Sequence, residues 1–211
     1  MKYHFRNNNP IMFNSKEEYK TYCDSKKKRE KMNYSDLKNM TANQLLNVCG
    51  LENSVPIDLN KILKKFNISA LSCDFDSMDL LSDLKTQGVR ILGALIASGN
   101  RAAIFYNEKD KLDSHRCRFT IAHELAHCCL CGDEIHIEFR IENETKDKNE
   151  IAANTFAGEI LIPEDMLKKH INDLILPSVH LLADIFEVSD NVMFERLKFL
   201  GIKEPIIGYN S

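Results

Sequence analysis

The stretch Arg118–Gly132, RFTIAHELAHCCLCG, carries two histidines four residues apart with a glutamate directly after the first. On an α-helix, residues at that spacing share a face, with Cβ atoms about 5–6 Å apart. The imidazoles of His123 and His127 then converge on one point, where a zinc ion with Zn–N bonds of roughly 2.0–2.1 Å fits. Glu124 is next around the helix and can lean over the open coordination position to take a proton from a water there. A buried helix with incidental histidines is the plainer alternative, but it explains neither the spacing nor the glutamate. The pattern predicts a helix holding zinc through His123 and His127, with Glu124 as general base and Leu125 and Ala126 packed beneath.

A catalytic zinc takes three protein ligands and keeps one position open. Cys131 lies on the stripe of His123 and His127, yet eight residues of helix rise about 12 Å, too far for His123 and Cys131 to share an ion. Cys128 and Cys129 point to other faces and read as small buried apolar residues. Glu150 is a better third ligand. It opens a helix on which Asn154 follows one turn later, so Glu150 can reach the metal while Asn154 hydrogen-bonds a ligand histidine. On spacing alone, a first-turn carboxylate that only favours the helix dipole is an equal reading. Glu142, Glu144 and His136 are rivals for the third position.

The rest of the chain predicts an α+β architecture with a small sheet packed on the metal helix. Thr41 caps a helix that Gly50 stops, and Asp58 caps another that buries Ile62, Leu63 and Phe66. Ile68–Cys73 reads as a strand, and ILGALIASGNRAAIFYNE as two strands turning at Gly99-Asn100. EIHIEFRIE alternates as a half-buried strand. NEIAANTFAGEILIP is a helix stopped by Pro163. Two short helices follow around Val188-Ser189, in the rhythm of a helix-turn-helix. Residues 1–38 form a basic, polar extension, with a short helix possible at Glu17–Ser25. Residues 39–165 would be the metal domain and 166–211 a C-terminal helical subdomain.

Charge and cysteine usage narrow the partners. Residues 1–40 hold 10 Lys/Arg against 5 Asp/Glu and the remainder 18 against 26, so a basic arm precedes an acidic body. The net charge of −3 gives no overall field for nucleic acid or membrane. With no export signal or membrane span in view, the seven cysteines predict reduced thiols in a cytoplasmic protein.

RFTIAHELAH followed by EIAANTFAGEILIP resembles the signature of the ImmA/IrrE family of zinc metallopeptidases. VPIDLNKILKKFNI and AAIFYN resemble that family's lead-in helix and the strand before its active-site helix. The similarity runs over about Thr41–Pro163, and the C-terminal helices resemble the family's tail. The resemblance implies zinc bound by His123, His127 and Glu150, Glu124 as general base, and Asn154 as the Asn of the second motif. It further implies an intracellular, gluzincin-like endopeptidase, often encoded by phages or mobile elements, that cuts a repressor of the helix-turn-helix type. Ala126 departs from the Gly common at that position, and residues 1–38 have no counterpart in the family.

In such an enzyme the substrate backbone lies along a strand beside the zinc, here EIHIEFRIE or the GALIASG hairpin. The oxyanion stabiliser is open among His115, Arg116, Arg118 and His136. The competing reading is a DNA-binding or protein-binding regulator with a structural metal site. Against DNA, the second of the two C-terminal helices carries Glu195, with only Arg196 and Lys198 as nearby cations.

Overall fold

The computed structural model describes residues 3–6, 9–12, 15, 17–18, 32–78, 90–98, 101–110, 114–131, 136–141, 148–202 and 206–209. They fall into two compact units, Met1–Met32 and Asn33–Ser211. The first contains a hairpin of β1 (Tyr3–Arg6) and β2 (Asn9–Met12), with Tyr3 opposite Met12 and Arg6 opposite Asn9. Only a polar extension was expected there, because the Lys and Asn content masks the strand preference of Tyr3 and Phe5. Glu17 and Glu18 are helical, while the rest of the expected helix, 19–25, lies outside the described residues.

In the second unit packing begins before Thr41. A helical turn at Tyr34–Leu37 buries both of its end residues, and the Asn39 N–H donates to the Cys129 carbonyl at 2.8 Å. Helix α1 (Ala42–Cys49) starts with a reciprocal cap: Gln44 N–H donates to Thr41 Oγ1 at 3.3 Å, and Thr41 N–H to Gln44 Oε1 at 2.9 Å. It ends at Gly50, whose φ of 61° suits a residue without Cβ. Helix α2 (Leu59–Lys65) is capped by Asp58 and buries Ile62 and Leu63, with Phe66 fully buried at its end.

The sheet comprises β3 (Ile68–Cys73), β4 (Ile91–Ser98), β5 (Arg101–Asn107) and β6 (His136–Ile141), in the order β3-β5-β4-β6. β3 runs parallel to β5, and the other pairs are antiparallel. Ser98 stands opposite Arg101, which fits the two-residue turn expected at 99–100, itself outside the described residues. β4 is paired on both sides, so the GALIASG strand has no open edge for a substrate. β6 and β3 are the edge strands among the described residues.

Helix α3 (Ser114–Cys131) packs on β4 and β5 and against α4 (Lys148–Leu161). Pro163 ends α4 and, unexpectedly, also caps a further helix, α5 (Glu164–Asp173). Ser178 and Ser189 cap α6 (Val179–Phe186) and α7 (Asp190–Phe199), with Glu187 left-handed at φ 52° between them. The chain thus adopts the α+β class that the sequence predicts, and α5–α7 belong to the same compact unit as the metal helix. Among the described residues, no helix is long and apolar enough to cross a membrane.

Candidate metal centre

The start of α3 is pinned by Asp110. Its buried carboxylate meets Arg90 and Arg116, and its carbonyl accepts from Cys117 Sγ at 3.0 Å. From Ala122 to Cys129 the helix is enclosed: Ala122, Leu125 and Ala126 are fully buried, but so are His123 and Glu124, and His127 is 1% exposed. Polar groups shielded from water are costly unless they bind one another or an ion. The histidine face of α3 is therefore built for a partner.

That partner set is completed from α4. His123 Nε2 and His127 Nε2 lie 2.9 Å apart. Glu150, in the first turn of α4, directs Oε2 to His123 Nε2 at 3.2 Å and Oε1 to His127 Nε2 at 3.1 Å. Tetrahedral coordination with bonds of roughly 2.0–2.1 Å holds ligand atoms about 3.3 Å apart, the same scale. Two imidazoles and a carboxylate form a donor set that suits a divalent metal. Asn154, one turn after Glu150, accepts from His123 Nδ1–H through Oδ1 at 2.9 Å. That bond selects the tautomer with a bare Nε2 on the metal side. Of the residues singled out in the sequence, these are brought together; Glu142 and Glu144 lie outside the described residues, and His136 is in β6.

Comparison with known families decides the assignment. The family model for the IrrE N-terminal-like domain, peptidase family M78, matches residues 63–198, a span that includes α3, α4, α6 and most of α7. The chain belongs to the M78 metallopeptidase family. No curated protein and no solved structure matches it. As a peptidase it acts on a polypeptide, and the His123–His127–Glu150 group is where this M78 member can hold its divalent metal.

A residue that the sequence motifs do not mark bears on Glu124. Glu124 lies against Gly93 of β4, and a Cβ at Gly93 would stand 3.0 Å from Glu124 Oε1, 2.5 Å from Thr120 Cγ2 and 3.1 Å from the Phe105 carbonyl oxygen. The missing side chain lets α3 sit directly on the strand. Gly93 is also paired with Arg140, so β6 runs one strand spacing away from the glycine that Glu124 lies against. A lone glycine within a strand was the available signal, since such residues mark close approach of another group. Gly93→Ala is expected to destabilise the fold by about 1–3 kcal/mol in urea titrations. A displacement of Glu124 by about 1 Å would add a loss of turnover near 10²-fold. Wild-type stability and turnover in this variant would refute the close-approach role.

Several other groups that the sequence singles out are buried or have partners of their own. Cys128 and Cys129 are buried, and burial pushes the Cys129 thiol up to about 12, so it stays protonated. α3 continues unbroken through Cys131, which preserves the rise of about 12 Å that separates Cys131 from His123. Arg118 donates through Nε to the Glu187 carbonyl at 3.1 Å and through Nη2 to the Ile57 carbonyl at 3.0 Å. It clamps α3 to the end of α6 and to the entry of α2. On α7, Arg196 is buried, donates through Nε to the Ile162 carbonyl at 3.2 Å and lies over the Phe199 ring. Lys198 sits 3.7 Å from Glu195.

Proposed function

We propose that this M78 member is a cytoplasmic zinc endopeptidase that cuts one peptide bond in a partner protein, a helix-turn-helix transcriptional repressor. The observation that carries the reading is the buried His123–His127–Glu150 group, with the buried Glu124 following His123 on the same helix. His123, His127 and Glu150 would hold the ion. Zinc supplies a Lewis acid that polarises the scissile carbonyl and lowers the pKa of water toward neutrality. Glu124 accepts the proton of the attacking water at its carboxylate and returns it to the amine nitrogen as the C–N bond breaks. Asn154 keeps His123 in the tautomer and orientation this requires. The outer edge of β6 is the backbone ladder on which an extended substrate segment can add as a further strand.

The repressor as substrate, and an origin in a mobile element, rest on the resemblance to the ImmA/IrrE family. The competing regulator reading draws on the α6–α7 pair, but Arg196 is buried and Lys198 has Glu195 beside it, so α7 presents little positive charge to phosphates. Elemental analysis is expected to give about one zinc per chain. Incubation with the repressor encoded beside this chain should yield two fragments by mass spectrometry, halted by a chelator and restored by zinc. Zinc-loaded protein that leaves the repressor intact yet shifts promoter DNA at moderate salt would overturn the proposal.

A further inference from the structure

A cavity of about 640 Å³ opens between α3, α4 and α7, and the chemistry above makes no use of it. Asn154 connects it to the metal centre, since that residue both lines the cavity and holds His123. Phe119, one turn before His123, forms the α3 wall, and Ile151, next to Glu150, lies on the α4 wall. Leu92, beside Gly93, closes the sheet side, and Val192 and Phe199 of α7 close the far side.

The walls also carry His115, Asn191, Ser189, which caps α7, and Glu195, which lies 3.7 Å from Lys198. The Thr155 hydroxyl donates to the Ile151 carbonyl at 2.9 Å, so its proton is already used within α4. The arginines at the cavity are paired as well, Arg116 with Asp110 at 3.5 Å and Arg196 with the Ile162 carbonyl at 3.2 Å. Ile151 and Phe199 remain 52% and 61% exposed, large apolar surface that an apolar guest would cover. At Gly158, which also lines the cavity, an added Cβ would meet a single heavy atom within 4 Å, Arg196 Cδ at 3.7 Å. A side chain added there would start at ordinary van der Waals distance from its neighbour.

We infer that this cavity receives a bulky apolar side chain of the polypeptide substrate, adjoining the scissile bond, and that α7 thereby helps set the specificity of the peptidase. The inference rests on the metal-centre reading of His123, His127 and Glu150. Its test uses the zinc-loaded full chain, titrated calorimetrically with dipeptide hydroxamates that differ only in side chain: Gly, Asp, Lys, Leu or Phe. The hydroxamate engages the metal and the side chain reports on the cavity. The Leu and Phe probes are expected to bind roughly ten- to a hundredfold more tightly than the Gly probe. Gly158→Leu on α4 and Val192→Trp on α7 fill the space from different sides. Each should abolish that preference while binding the Gly probe as the wild type does, and either variant suffices if the other fails to fold. Equal affinity for all probes, a preference for Asp or Lys, or an apolar preference that survives the filling would overturn the proposal. Failure of even the Gly probe to bind would refute the metal centre itself, and the cavity's role would fall with it.

Discussion

Replacing Glu124 with glutamine is expected to slow hydrolysis of the protein substrate by about 10²–10⁴-fold while zinc stays bound at wild-type stoichiometry. The separation of the two effects follows from position. Metal would be held by His123, His127 and Glu150, whose donor atoms lie within 4.8 Å of one another, and Glu124 is not among them. Glutamine keeps the size of the side chain that lies against Gly93, so packing is preserved. Its amide accepts no proton at neutral pH, so the attacking water keeps its proton and the leaving nitrogen receives none. Zinc content by elemental analysis, read beside cleavage rates, distinguishes this from a folding defect. Undiminished cleavage would exclude Glu124 as the base; loss of zinc would make it a ligand.

Much of this arrangement is legible in the sequence, because its rules are local. Thr41, Asp58 and Ser189 announce helix starts through side chains that cap amides within three residues. The His123–His127 spacing is a property of one helix. What escapes is set by distant partners or by residues with two uses. Pro163 reads as a stop, yet it also starts α5, whose acidic first turn and buried Met166, Leu167 and Ile171 are present in the sequence. Gly93 reads as a gap in a strand, and nothing near it in sequence says that Glu124 lies above. Arg118 reads as a candidate catalytic cation, while its acceptors Glu187 and Ile57 lie 69 and 61 positions away. Glu150 is intermediate. Its place in a first turn is local, but its reach to the metal depends on how α4 lies against α3.

That dependence makes Glu150→Ala the most direct test of the centre. It removes one of three donors, and with it the carboxylate that faces both imidazoles at 3.1 and 3.2 Å. Loss of a group that only orients a ligand weakens metal binding by about 10–100-fold, so loss of a ligand should reach at least the upper figure. At fixed free zinc, a hundredfold weaker site forfeits about 2.7 kcal/mol of metal-linked stability. For a chain of this size, that corresponds to a Tm lowered by roughly 5–11 °C in zinc. In excess chelator the wild type has lost the same stabilisation, so the two proteins should melt much closer together. Competition with a zinc-chelating dye measures the affinity directly. An unchanged zinc affinity would reduce Glu150 to a helix-start carboxylate and require the third ligand elsewhere. A weaker site in which Asn154 still holds His123 would show that α4 supplies both the ligand and the group that orients its neighbour.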